Sequence, residues 1–490
     1  MSTETGTPTE RSDLARSDQS LRERIFDNPR PALGWLAVFT VVLVPELGAV
    51  LHAGAQALLG ILKIVPGDPA VKTATELVTA TGDVPTLLSR SLIDNQGYQT
   101  VAGEWKGTFS LGGVALSPKH AWLLRVSMVY AYAAVFAAWL WRGYRTYRAH
   151  YRIADWTPAD DQIDRFRGHT WGRVELVVVA FFLVMALFAP ALGPTTIEQN
   201  IKQPYSYEVK YLDEDAETVK SITVGVANIK SASRGGEDSV GPWSYDDFGR
   251  FHPAGTLKSG KDMATFLVHG ARVSLFIGIT SIVLAGFIAV ALALITAYYK
   301  GLADLTVVVS SDSIQSIPVF LLIIMAFAIF SEVFNGSLLL ISFFAITNWT
   351  FIWRAIRGPA LQVAEEEWID AARSYGQTPR KTMQGHMLPY VLGYLLVYSS
   401  MRVGGIIVAI AGLSYLGLGV KPPTPEWGRA ISSGQSLVAT SSWHIAFIPG
   451  FLITLLVTGL NALGDGIRDA IDPQSEAGDD GEMEAQGGGA

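Results

Sequence analysis

The chain has 490 residues, 49% of them hydrophobic and 17% charged, and its mean hydropathy is positive, which a water-soluble core of this length does not call for. The formal net charge of −7 arises partly in an Asp/Glu/Gly-rich stretch at 475–490 and points to no nucleic-acid partner. The chain has no cysteine, which excludes disulfides, thiolate metal sites and a cysteine nucleophile.

Residues 1–32 are rich in Ser, Thr, Glu and Arg and read as a cytoplasmic tail rather than a cleavable signal. The first apolar run covers 33–51, contains Glu46, and continues less strongly to 62. Further runs occupy 121–141, 174–192, 273–298, 305–330, 338–353, 390–416 and 443–463. A bilayer core about 30 Å thick needs roughly 20 apolar helical residues per crossing, and the ~10-residue alternation of a spanning barrel does not occur. These runs predict an all-α polytopic membrane protein with about eight transmembrane helices.

Basic residues in short loops give the orientation. Arg16, Arg22, Arg24 and Arg30 precede the first span, and Arg142, Arg145, Arg148, Arg152, Arg165, Arg167 and Arg173 separate the second from the third. Arg354, Arg357, Arg373, Arg380 and Lys381 lie between the sixth and seventh. All of these segments, and both termini, are expected in the cytoplasm. Two long segments, 63–120 and 194–262, then fall outside as a small cap, with a hairpin expected over 207–226 around Asp213-Glu214-Asp215. The tail at 473–490 is expected to be solvated and disordered.

The segment Gly255-Thr256-Leu257-Lys258-Ser259-Gly260-Lys261-Asp262 follows the phosphate-binding loop pattern up to its lysine and then fails, because Asp262 stands where Ser or Thr would hold magnesium. No paired metal ligands on a helix and no Gly-x-Ser-x-Gly elbow occur. Of the ionisable residues in or near spans, Glu46, Arg125, Glu175 and Asp312 lie toward span ends, where snorkelling satisfies them. Arg402 sits mid-span and is assigned to lining a path or pairing spans. Asn348 and Trp349 are further pathway candidates by position. Asn335-Gly336-Ser337 has the glycosylation pattern in a tight loop and is discounted.

The loop 354–389 is the most specific feature. Glu365 to Ala372 are good helix formers leading to Gly376, a helix stop. Thr378-Pro379 then offers an N-cap with proline at the first helical position, so a second helix runs toward Leu388-Pro389. Ala371 and Ala372 leave a small-residue face flanked by Trp368, Ile369 and Tyr375, which suits a partner's groove; an amphipathic helix lying on lipid is the alternative.

Asp370-Ala371-Ala372, Gly376 and Leu388-Pro389 resemble, in type and spacing, the Glu-Ala-Ala, Gly, Leu-Pro loop of ABC-importer permeases, which in that family binds the ATPase subunit. Four further segments resemble the dipeptide and oligopeptide branch, as its second, C-type permease: His252-Pro253-Ala254-Gly255-Thr256 with Gly260-Lys261-Asp262; Gly270-Ala271-Arg272-Val273-Ser274-Leu275; Tyr415-Leu416-Gly417-Leu418-Gly419 through Pro422 to Gly428; and Leu463-Gly464-Asp465-Gly466-Ile467-Arg468-Asp469. The resemblance covers roughly 173–473. Departures are Asp370 for Glu, Lys261 for Arg, Leu257 for Asp, and Ile410 where relatives often carry Glu. It implies a six-helix core, with a first core span and external loop over 173–262 and the remainder over 263–472, preceded by two extra spans within 33–172. It implies a second homologous permease chain, two cytoplasmic ATPase subunits that hold ATP and magnesium, and an external substrate-binding protein. No cofactor is expected on this chain. The implied location is the plasma membrane of a prokaryote, and the implied cargo is di- or oligopeptides; small oligosaccharides or nickel chelates are the alternative within the class. A passive channel or scaffold, and a membrane enzyme, are the readings from other classes.

Overall fold

The computed structural model describes residues 20–62, 68–82, 84, 86–87, 92–153, 157–237, 239–330 and 336–471. The acidic tail, most of the N-terminal tail, the start of the 63–120 segment and Asn335 lie outside the described residues. The chain divides into two compact units, one formed mainly by 1–160 and the other mainly by 161–490.

The first unit contains α1 (Pro29–Leu43), α2 (Leu47–Leu62), α3 (Asp68–Gly82) and α4 (Pro118–His150). A 3-10 turn, Val44–Glu46, joins α1 to α2 at Pro45. Proline removes a helical N–H, so the ladder tightens there. Trp35 of α1 stacks on Trp139 of α4 with centroids 4.4 Å apart, and each indole N–H donates to the other's backbone carbonyl at 3.2 Å. Gly143 permits this approach, since a Cβ there would lie 2.6 Å from the Trp35 ring nitrogen. Between α3 and α4 the backbone forms two short hairpins, Tyr98–Gln99 with Trp105–Lys106 and Ser110–Leu111 with Val114–Ala115.

Two span residues depart from the snorkelling expectation. Arg125 is 2% exposed and donates to the carbonyls of Ala191 and Ile93 and to Asn95 at 2.6–2.8 Å. Glu46 is 6% exposed, and neither carboxyl oxygen has a hydrogen-bond partner. Arg125 turns inward because Ile93, Asn95 and Ala191 supply acceptors, whereas Glu46 is enclosed without a hydrogen-bond partner.

The second unit contains α5 (Thr170–Leu187), α6 (Met263–Tyr299), α7 (Gly301–Ser316), α8 (Val319–Phe330), α9 (Gly336–Ala364), α10 (Glu367–Ser374), α11 (Leu388–Tyr415), α12 (Trp427–Gly434) and α13 (His444–Ile471). Helix α6 packs on α9 and α11, and α13 packs on α11, α5 and α12. Ala285, Ala289, Ala293 and Ala297 of α6 are fully buried. Their four-residue spacing makes a small-residue stripe, which in a membrane lets helix backbones approach where lipid supplies no hydrophobic drive. Trp427 closes the unit, 0% exposed, with its indole N–H donating to the Leu267 carbonyl at 2.8 Å. Gly270 leaves room for the ring, because a Cβ would meet it at 2.7 Å.

Among the described residues, seven helices are long and apolar enough to cross a membrane, or eight if one bent pair counts as a span. That pair corrects the 305–330 expectation: α7 and α8 meet at 80°. Ile317, which precedes Pro318, is extended at φ −86°, ψ 130°, because proline drives the residue before it out of the helical region. The 338–353 expectation is also too short, since α9 continues to Ala364 with Pro359 inside it. Hydropathy drops at Arg354 and Arg357, but these pair with Asp312 and Asp304 of α7, so the helix runs on.

In the 194–262 segment, Glu208–Asp213 pairs with Thr218–Thr223, while 224–226, expected to be strand, begin a helix, Val224–Lys230. Ser244–Tyr245 pairs with Phe251–His252.

Candidate coupling loop and intramembrane polar cavity

Helix α10 ends as the local sequence dictates. Gly376 adopts φ +75°, its N–H bonds the Arg373 carbonyl and the Gln377 N–H bonds the Ala372 carbonyl, both at 3.0 Å. This pair of bonds is the Schellman closure that a glycine beyond the C-cap permits. Thr378 is extended with Pro379 at the first helical position, and the chain passes through a π turn, Met383–Met387, directly into α11 at Leu388 and Pro389.

The loop is held from below by one side chain. Ile369 is fully buried, so it anchors α10 rather than flanking the alanine face as expected from sequence. Trp368 and Tyr375 are 52% and 92% exposed, and Asp370 and Ala371 are exposed as well. The Arg373 guanidinium lies 4.5 Å over the Tyr298 ring at the end of α6 and pairs with Asp370 at 3.3 Å. Lys300 pairs with Glu365 at 3.1 Å. A hollow of about 470 Å³ opens beside the turn, lined by Ala372, Tyr375, Gly376, Gln377, Thr378, Lys381 and His386. A small-residue wall, a bulky aromatic edge and two basic groups thus face outward on a firmly seated element.

A second cavity, about 270 Å³, lies among α7, α8, α9 and α11, and its lining includes Gln315, Thr347, Asn348, Thr350, Phe351 and Arg402. Arg402 Nε donates to Asn348 Oδ1 at 2.7 Å, and the guanidinium sits 4.5 Å over the Phe351 ring. The structure therefore joins Arg402 and Asn348, two of the residues singled out in sequence. Trp349 is buried and is not among the cavity's lining residues.

A family of inner membrane components of binding-protein-dependent transport systems matches residues 276–476. A dipeptide transport system permease of Alkalihalophilus pseudofirmus is 34% identical over 226 residues, covering 46% of this chain and 73% of that protein. A glutathione transport system permease of Pectobacterium atrosepticum is 34% identical over 223 residues, with 46% and 73% covered. An oligopeptide transport system permease of Bacillus subtilis is 29% identical over 314 residues, with 64% and 89% covered. The chain belongs to this permease family.

In this permease, a buried network fixes the chain entering α6. Asp262 is the N-cap, accepting from Thr265 N–H at 2.7 Å, and Asn200 bonds both its N–H and its carbonyl. His252 bridges Asp262 at 2.8 Å and Asp246 at 3.3 Å. Burial alone would push the His252 ring down and the Asp246 carboxyl up. The two flanking carboxylates outweigh burial and raise His252, while the His252 bond and the Arg250 charge hold Asp246 well below the usual carboxylate range. The near-match to a phosphate loop belongs to this assembly. Leu257 N–H bonds the Lys261 carbonyl and Gly260 N–H the Leu257 carbonyl, and a Cβ at Gly260 would meet the Asn228 carbonyl oxygen at 1.6 Å. The turn is packed against the Asn228 backbone at Gly260.

Gln315, Thr347, Thr350 and Phe351 were not singled out in sequence. The available signal was local: Thr347, Thr350 and Phe351 recur three and four residues apart and share a helix face, and Gln315 is a polar residue in an apolar run just before Pro318.

Proposed function

We propose that this permease is one membrane subunit of an ATP-driven importer that carries di- or oligopeptides into a prokaryotic cell by alternating access. The dipeptide, glutathione and oligopeptide cargoes of the relatives support that substrate class. In this reading α5 to α13 form one half of the path, a homologous permease completes it, and an external binding protein delivers cargo. One of two ATPases docks on the loop carrying Asp370, Ala371, Ala372, Gly376, Leu388 and Pro389, the other serves the partner permease, and both hydrolyse ATP with magnesium on their own residues. The basic loops support a cytoplasmic position for both termini, with 63–120 and 194–262 outside, and in this reading the first two spans are an addition to the six-helix core.

The observation that carries the reading is the 367–378 element, rigidly closed at Gly376 and anchored by Ile369, yet exposing Trp368, Tyr375 and a small-residue hollow. Its test is the complete transporter in proteoliposomes carrying Gly376→Val or Ala372→Arg. The first change strains the backbone at φ +75°; the second fills the hollow. ATP-dependent peptide uptake is expected to fall at least tenfold with membrane insertion intact. Undiminished uptake refutes the docking assignment, and absence of any co-purifying ATPase with the wild type favours a passive channel.

A further inference from the structure

We propose that Arg402, held by Asn348, is the binding site for the C-terminal carboxylate of the peptide in transit, a role that rests on the importer reading above. The charges along these helices are otherwise matched. In α7, α8, α9 and α11 the basic residues are Arg354, Arg357 and Arg402, of which the first two pair with Asp312 and Asp304. Arg402 alone among the described residues of those helices has no carboxylate partner, at a depth where an uncompensated charge is costly.

Its environment leaves one edge of the guanidinium available. Asn348 takes Nε and Phe351 covers a face. No described residue hydrogen-bonds the two terminal nitrogens, and the residue is exposed. Two parallel N–H donors of a fixed fork match the two oxygens of a carboxylate. The adjoining cavity, about 270 Å³, adds Gln315 and Thr347, whose side-chain N–H and O–H donate to Ser311 and Phe343 and whose oxygens can accept from a peptide N–H. A water's share of liquid is about 30 Å³, so the space accepts the terminal residue of a peptide. The α-carboxylate is also the one charged acceptor that every unmodified peptide presents whatever its side chains, so a single arginine serves a mixed cargo.

The test uses the complete wild-type and Arg402→Gln transporters with their binding protein in proteoliposomes, and measures uptake of one tripeptide as free acid and as C-terminal amide. Taking the variant-to-wild-type ratio for each peptide removes the binding protein's own preference, as in a double-mutant cycle. The free-acid ratio is expected to fall at least tenfold, and the amide ratio to stay within twofold. Arg402→Lys, which keeps the charge but loses the fork, is expected to give an intermediate loss confined to the free acid. Equal losses for both peptides would mean that Arg402 serves assembly or pairs with an acid of the partner permease, and would overturn the proposal, as would an unchanged free-acid rate. A wild-type complex that takes up neither peptide refutes the importer reading instead.

Discussion

Replacing His252 by Ala removes the bridge between Asp246 and Asp262, and the structure sets the size of the effect. The ring is 2% exposed. Asp246 keeps Arg250 Nε and Ser231 Oγ at 2.8 Å and the N–H groups of Phe248 and Arg250. Asp262 keeps Thr265 N–H on its other oxygen, but Oδ2 loses the partner at 2.8 Å. Breaking a buried ion pair costs about 3–5 kcal/mol, and the donors left on Asp246 favour the lower end. A loss of about 3 kcal/mol corresponds to roughly a hundredfold more frequent opening. Hydrogen exchange of the purified permease, read on peptides spanning 244–262, should accelerate by that factor. Exchange within twofold of wild type would refute the account.

The pH dependence has a definite sign. His252 is raised in the folded state, so its contribution is complete below the unfolded value, about 6.5, and is lost as pH rises through the folded one. Asp246 is depressed, so its contribution is present above the unfolded value, about 3.9, and is lost as pH falls through the folded one. After correction for intrinsic exchange, protection of 244–262 in the wild type should decline on the alkaline side, and His252→Ala should abolish that decline.

Two further predictions concern packing. Gly428→Ala places a Cβ 1.9 Å from the Ala411 carbonyl oxygen, a backbone atom that cannot swing aside. A loss of about 1–3 kcal/mol is expected and should appear as a lower melting temperature of the detergent-purified permease. Arg125→Leu removes the donor that the carbonyls of Ile93 and Ala191 and the Asn95 amide oxygen share, at about 1–3 kcal/mol for a buried acceptor left without a partner; its readout is faster proteolysis within 92–125.

What the sequence made legible was what local rules govern. Apolar runs of span length, the glycine closure at 376 and the Thr378-Pro379 restart depend on neighbours in the chain, and apart from the bend within 305–330 they appear in the structure. What escaped depends on distant partners. Arg354 and Arg357 looked like the end of a span because their acids lie on α7, some fifty residues earlier in the chain. Glu46 and Arg125 looked able to reach the membrane surface, while the groups enclosing them come from remote segments. Ile369 read as part of an exposed face because nothing near it in sequence marks the pocket that swallows it. The bend at Ile317-Pro318 was within reach, since the residue before a proline avoids the helical region, but continuous hydropathy across 305–330 concealed it.

Helix α9 runs from Gly336 to Ala364 with Pro359 inside it, so Asn348 and Ala364, where the helix hands over to the 367–378 element, lie about 24 Å apart along it at 1.5 Å per residue. A swing of about 10° at one end therefore displaces the other by about 4 Å. In the proposed cycle, movement imposed at Glu365 would pass along the helix to Asn348 and through its hydrogen bond to Arg402. On the roles proposed for Arg402 and for the loop, the grip on cargo and the push from the cytoplasm would be geared together by a single covalent element.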